Sequence, residues 1–141
     1  MNDPFNLTRF IEAQDPVYER VCLELSQGKK VSHWMWFIFP QIQGLGRTST
    51  AKKYAISSLE EAKDYLQHPV LGERLLECTD LVIQISKRNI EDIFYNPDNL
   101  KFHSSMTLFV LAANEKHIFT QALDKYFDGE LDSATLKILD L

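Results

Sequence analysis

A clear hydrophobic stripe consists of Val17, Val21 and Leu25, which recur at helical spacing. Asp15-Pro16 precedes the stripe, in the order expected of an N-cap followed by a proline in the first helical turn. The sequence therefore predicts a helix that begins after this pair and ends before Gly28.

The middle of the chain carries two further helix patterns. Ser58 and Glu61 have the spacing of a capping box and precede a short helix that ends near Gln67. The chain then restarts at Pro69, and a long apolar stripe follows over residues 71–85. We expect this long helix to be the central one.

The C-terminal part predicts several more helices. Ser104 or Ser105 can cap one of them, Gly129 can end the next, and Asp132 can cap the last. Strand-like alternation is absent over any useful length. The predicted fold is all-α, a single compact multi-helix domain over residues 1–141 with about seven to nine helices, several of them short, and no sheet.

Composition and charge narrow the function classes. The net charge of -5 leaves no basic excess, which argues against general nucleic-acid binding through phosphate neutralisation. The longest apolar run, residues 34–39, is far shorter than the ~20 residues that span a bilayer. The chain also begins without the pattern of a secretory signal. We expect a cytoplasmic protein without a membrane segment.

The cysteines and histidines do not have the spacing of a metal site. Cys22 and Cys78 lie far apart among apolar residues, outside any CxxC pattern, and we expect reduced core thiols. His68, His103 and His117 lack a histidine partner at helical spacing. The sequence predicts no metal and no cofactor.

The least ordinary segment covers residues 32–41 and contains both tryptophans beside a histidine. A short helix is expected here, capped by the serine at its start and stopped by its proline. Trp34, Trp36 and Phe37 can be core anchors, since large aromatic side chains often anchor small helical domains. On a helix, His33 would share a face with Phe37 and could line a cleft as a general base or a hydrogen-bond donor.

Two other segments concentrate polar groups. The glycine-rich loop at residues 44–49 includes Arg47 and could hold an anion, although it matches no nucleotide-binding motif and could be an ordinary loop. Residues 98–107 combine Lys101 with two serines, which could bind an oxyanion, form a lysine-activated serine, or only cap a helix.

The motifs together resemble a bacterial family, the domain of unknown function eighteen-ten. Its hallmark resembles SHWMWFIFPQ at residues 32–41, and further blocks that look like the family are residues 3–5, 9–10, 13–14, 44–46, 54–56, 61–62, 65–66, 68–72, 74–75, 98, 101 and 104–109. The resemblance implies an all-helical single domain, similar to a mycobacterial hypothetical protein of helical fold, with no established activity. The chain differs from the pattern in a short connection at residues 114–116.

Two functions remain open. The first is a pocket that binds or processes a small anionic, nucleotide-like metabolite, with no catalytic residue assigned and enzyme activity left open. Its candidate ligand-binding residues are His33, Trp34, Trp36, Gln41, Arg47, Lys101, Ser104 and Ser105. We expect the histidine, the glutamine, the arginine and the lysine of this set to converge on one cleft. The alternative is a protein-protein interaction module that uses Trp34 and Trp36. The oligomeric state is also open.

Overall fold

The computed structural model describes residues 2–114 and 118–141, and helices dominate this part of the chain. Ten helices lie there, and seven of them have seven residues or more. In chain order they are α1 (Thr8–Gln14), α2 (Tyr18–Ser26), α3 (Met35–Ile38), α4 (Ser49–Lys53), α5 (Leu59–Gln67), α6 (Leu71–Gln84), α7 (Ile90–Ile93), α8 (Asp98–Ala112), α9 (Ile118–Phe127) and α10 (Ser133–Leu139). The described residues contain no strand, only an isolated parallel bridge between Ile42 and Ile56, so the all-α class is confirmed.

Two long helices share the centre of the molecule. The helix α6 was expected there and packs on α2, α5 and α9. The helix α8 is equally central, because it packs on α5, α7, α9 and α10. The buried side chains of α8 face several of these neighbours, so the helix has no single apolar stripe. For this reason the hydrophobic pattern of the sequence did not predict that α8 is central.

Several helix ends follow the local sequence signals. The Ser58 hydroxyl accepts a hydrogen bond from the Glu61 backbone N–H at 3.2 Å, where α5 begins. The Asp132 carboxylate accepts one from the Thr135 N–H at 3.1 Å, where α10 begins. Gly129 follows α9 with φ 75°, a left-handed conformation that glycine adopts without strain. These three predictions are confirmed.

The caps predicted at Asp15 and at Ser104 or Ser105 are wrong. Asp15 ends α1 rather than beginning α2, whose N-cap is Val17, and the Asp15 carboxylate instead pairs with Arg74 at 2.9 Å. Ser104 and Ser105 lie inside α8, which begins six residues before Ser104 at Asp98. The Ser104 hydroxyl donates to the Lys101 carbonyl oxygen at 3.0 Å, and such bonding lets serine occupy a helix interior.

The helices α5 and α6 approach each other closely where one ends and the other begins. A Cβ added to Gly72 would lie 2.1 Å from the carbonyl oxygen of Leu66. That oxygen belongs to the backbone of α5 and cannot move aside as a flexible side chain could. The absence of a side chain at Gly72 therefore permits this packing.

Two other features can be compared with the sequence. None of the helices in residues 2–114 and 118–141 is long and apolar enough to cross a membrane. The short connection expected at residues 114–116 falls largely on residues 115 and 116, which lie outside the described residues.

Candidate functional site

The carboxylate of Glu24 organises the segment that follows α2. Its Oε1 accepts hydrogen bonds from the N–H groups of Val31 at 2.8 Å and Ser32 at 3.0 Å. The same oxygen accepts the indole N–H of Trp34 at 2.9 Å, and Oε2 accepts the Ser32 hydroxyl at 2.5 Å. Burial alone raises the pKa of Glu24, but these hydrogen bonds outweigh it and lower the pKa from 4.5 to about 2. Glu24 is therefore ionised at neutral pH.

The start of the aromatic segment differs from the expected helix. The helix α3 has one turn and begins at Met35, with Trp34 as its N-cap, so Ser32 does not cap it. Ser32 donates to Glu24 instead. His33 precedes the helix and is exposed, so the expected shared helical face with Phe37 does not form.

The two tryptophans have different environments. Trp34 is 1% exposed and packs edge-on against Phe94, with ring centroids 6.3 Å apart. Trp36 is half-buried, and the ammonium of Lys101 lies 5.1 Å from its ring centroid. Trp34 is therefore a core anchor, whereas Trp36 presents part of its ring at the surface beside a cation.

Two lysines flank one carboxylate at the start of α8. Lys30 Nζ lies 2.9 Å from Asp98 Oδ2, and Lys101 Nζ lies 3.6 Å from Asp98 Oδ1. The ammonium of Lys30 also lies 5.2 Å from the ring centroid of Trp34. Each lysine is thus placed by a carboxylate and an aromatic face. Together the three charged side chains carry a formal charge of about +1 at neutral pH.

A cleft of about 200 Å³ lies beside the contact between Lys30 and Asp98. It is lined by Lys30, Val31, His33, Tyr95, Asn96, Pro97 and Asp98. Tyr95 is 56% exposed, and the Lys29 ammonium lies 5.4 Å from its ring centroid. The cleft therefore offers an exposed aromatic face, an imidazole and an ammonium to one ligand.

Gln41 joins the same end of α8 from the other side of the aromatic segment. Its amide Nε2 donates to the Ser104 hydroxyl at 2.7 Å. That hydroxyl donates in turn to the carbonyl oxygen of Lys101. Contacts therefore bring together four of the predicted residues, namely Trp36, Gln41, Lys101 and Ser104. His33 lies in the same region, because it lines the cleft together with Asp98.

Three predicted residues lie outside this group. Trp34 is covered by the core. Arg47 is exposed on the glycine loop. This loop lies against α10, since a Cβ added to Gly44 would be 3.2 Å from the side chain of Ile138. None of the contacts described joins Arg47 to the lysines. Ser105 is fully buried inside α8, and its hydroxyl has no hydrogen-bond partner among the described residues.

Sequence reasoning missed three residues that shape the cleft, namely Glu24, Lys30 and Tyr95, and it noted Asp98 beside Lys101 without identifying it as the partner of both lysines. Lys30 and Tyr95 come from separate loops, and no periodic pattern joins them. The weak signal for Lys30 was its place beside Lys29, just after the glycine that ends the α2 pattern. In the part of the chain that the structure describes, no group of three histidine, cysteine, aspartate or glutamate side chains could hold a metal ion.

Comparisons with known proteins place the chain in a family. The model of a protein family of unknown function, DUF1810, matches residues 4–139. The chain belongs to the DUF1810 family. It is also similar to the conserved hypothetical protein Rv1873 from Mycobacterium tuberculosis, whose crystal structure superposes on this DUF1810 chain with a TM-score of 0.97. The two sequences are 53% identical, and the match covers 99% of each chain. Comparison with curated proteins gives no match.

Proposed function

We propose that the cleft between residues 29–34 and the start of α8 binds a small anionic metabolite that has a planar part. The observation that carries this proposal is the pair of lysines, Lys30 and Lys101, which share the single carboxylate of Asp98. Lys29 adds a third positive charge beside Tyr95, and the ionised Glu24 adds a second negative charge beneath the loop, so three ammonium groups face two carboxylates. A local positive excess therefore remains on a protein whose net charge is -5.

The two lysines have different proposed roles. Lys30 lines the cleft and can donate to an oxyanion there, since an ammonium has three N–H donors. Lys101 contacts the other oxygen of Asp98 and offsets a negative charge that would otherwise repel the ligand. The exposed ring of Tyr95 can stack on a planar group, and His33 can add a further hydrogen bond.

The size of the cleft restricts the ligand. Its volume of about 200 Å³ lies below the range of roughly 300–1,000 Å³ that is typical of pockets for drug-sized ligands. The cleft suits a carboxylate or phosphate group together with one ring. In a mononucleotide, we propose that the phosphate enters the cleft and the base lies against Tyr95.

The test is isothermal titration calorimetry with inorganic phosphate, benzoate and adenosine monophosphate as separate probes. We expect Lys30→Met to weaken binding by about tenfold or more, because it removes a charged hydrogen-bond donor. Lys52→Met removes the same charge from an exposed position in α4 and is the matched control. Absence of binding by all three probes, or equal affinities for Lys30→Met and wild type, would refute the proposal.

A second measurement defines the extent of the site. Arg47→Met removes a charge from the glycine loop, and the sequence analysis predicted that Arg47 shares a cleft with Lys101. We expect this variant to bind the probes as wild type does, since the described contacts do not bring Arg47 to the lysines. A loss as large as that of Lys30→Met would extend the site to the glycine loop.

A protein-interaction surface is the second candidate function. Its support is the exposure of Val31, at 71%, beside Tyr95 in the wall of the cleft. Trp34 does not contribute to such a surface, because it is 1% exposed. Sedimentation velocity over a range of concentrations tests self-association, and Val31→Ser would weaken a dimer that uses this surface.

A further inference from the structure

A second cluster of reactive side chains lies where α2 packs on α6, away from the proposed ligand cleft. Tyr18 and Cys22 are one helical turn apart on α2, and Glu77 and Cys78 are adjacent on α6. Both cysteines are free thiols. Cys78 is 1% exposed, whereas Cys22 is only partly buried, so the expectation of two core thiols holds for Cys78 alone.

Hydrogen bonds connect the two thiols through the other two side chains. The Cys22 thiol donates to Glu77 Oε1 at 3.8 Å, and the Tyr18 hydroxyl donates to the same carboxylate oxygen. The Cys78 thiol donates to the Tyr18 hydroxyl at 3.7 Å. A continuous polar contact therefore runs from a buried thiol to an accessible one across the interface between two helices.

The surroundings make the two thiols unequal. The neighbouring Cys78 thiol is the main cause that lowers the pKa of Cys22 to about 7, against the opposing effects of burial and the Glu77 carboxylate. The neighbouring Cys22 thiol and burial raise the pKa of Cys78. Burial also raises the pKa of Tyr18. The guanidinium carbon of Arg74 lies 4.7 Å from the centroid of the Tyr18 ring. Cys22 is thus the thiol that ionises first, while its neighbour keeps its proton.

We propose that Cys22 is a site of oxidation by hydroperoxides and that Cys78 is its resolving thiol. In the first step the Cys22 thiolate attacks one oxygen of hydrogen peroxide. The O–O bond breaks, an S–O bond forms, and the released hydroxide takes up a proton and leaves as water. In the second step the Cys78 sulfur attacks the Cys22 sulfur, an S–S bond forms, and the sulfenic oxygen leaves as a second water with the Cys78 proton. The thiols lose two electrons, and the peroxide gains them.

An open cleft lies beside the hydrogen-bonded pair of Tyr18 and Glu77. A cleft of about 450 Å³ is lined by Tyr18, Pro69, Val70, Glu73, Arg74 and Glu77. The hydrogen-bonded pair of Tyr18 and Glu77 therefore borders this open cleft and also contacts both thiols. Neither cysteine lines this cleft, so hydrogen peroxide reaches Cys22 through the exposed part of its own side chain, whereas Cys78 is buried.

The test begins with the reactivity of the reduced protein. At pH 7 about half of a thiol with a pKa near 7 is ionised, compared with about 3% of an ordinary thiol, a difference of roughly fifteenfold in thiolate. We expect iodoacetamide to label Cys22 first and to leave Cys78 unlabelled in the folded protein. Preferential labelling of Cys78 would overturn the assignment.

The decisive experiment treats the full chain with a few equivalents of hydrogen peroxide and identifies the products by non-reducing peptide mass spectrometry. We expect wild type to lose two hydrogen atoms and to yield one peptide pair joined through Cys22 and Cys78. In Cys78→Ser, whose folding is checked by circular dichroism, Cys22 should accumulate a sulfenic acid that dimedone traps. Cys22→Ser should leave Cys78 reduced. Two reduced thiols in peroxide-treated wild type, or a disulfide between two molecules, would overturn the proposal.

Discussion

The hairpin of α5 and α6 and the segment between α2 and α3 are built on different principles. In the hairpin, a serine cap begins α5, its end at Gln67 follows from the local pattern, and Gly72 permits the close contact. In the segment, the backbone has no regular hydrogen-bond pattern before Met35, and a carboxylate from α2 supplies the missing partners.

This difference explains how the loop can carry the cleft. A loop held from beneath by Glu24 can present Lys30, His33 and Val31 on its outer side, where they line the cleft. The order of the loop backbone therefore depends on the ionised carboxylate of Glu24.

The largest expected effect separates the two tryptophans. Trp34→Ala should destabilise the protein by about 3–5 kcal/mol, because a fully buried indole and its hydrogen bond to Glu24 are lost. Trp36→Ala, two residues along the chain, should cost about 1 kcal/mol, because Trp36 is half-buried. Urea denaturation of both variants gives the comparison. Equal losses would mean that the two rings are equally important to the core.

The next effect tests the hairpin. Gly72→Ala should cost about 3 kcal/mol, since the new methyl group would meet the backbone oxygen of Leu66. Glu73→Ala, at the following exposed position of the same helix, should change stability by less than about 0.5 kcal/mol. Thermal unfolding of the pair measures both. A Gly72→Ala variant as stable as wild type would show that the two helices can separate without cost.

A smaller effect tests the segment. Glu24→Gln should lower the free energy of unfolding by about 2 kcal/mol. The amide has one acceptor oxygen for donors that bond to both carboxylate oxygens in the wild type. Glu19→Gln, exposed on the same helix, is the control. Hydrogen exchange of the Val31 amide provides a local measurement, and unchanged protection would contradict the role assigned to Glu24.

The contribution of Glu24 to stability also depends on pH. The pKa of Glu24 is about 2 in the folded protein, below its ordinary value of 4.5. Between these values the unfolded chain binds more protons, so the contribution of Glu24 is complete above about pH 5 and is lost as the pH falls toward 2. The stability difference between wild type and Glu24→Gln should therefore shrink in acid. A constant difference in urea titrations from pH 7 to pH 3 would rule this out.

Sequence reasoning succeeded where both partners of an interaction lie within one helical turn. The caps at Ser58 and Asp132 belong to this group, because each side chain bonds a backbone group three residues later. It failed at Ser32, whose donors reach back eight residues to Glu24, and at Ser104, where burial in α8 outweighed the preference for a helix end. Contacts between distant segments cannot be read from such local patterns.

The candidate site shows the same limit in another form. Lys101, Gln41 and Ser104 were chosen for their chemistry, and contacts in the fold do connect them. Lys30 was not chosen, although it makes the shortest ion pair of the cleft, because its partner Asp98 lies far along the chain. Residue type led to the choice of these three residues, while the pairing of Lys30 with Asp98 depended on how α8 meets the loop.

The hydrogen bonds of Glu24 also bear on how fast the proposed anionic ligand would bind. Because they order the backbone at Val31 and Ser32 when the protein folds, that anion would meet a surface that is already shaped. The proposed binding would then require no slow rearrangement, and encounter alone would limit its association rate. In stopped-flow mixing, we expect the observed rate constant to rise linearly with ligand concentration and to show no plateau.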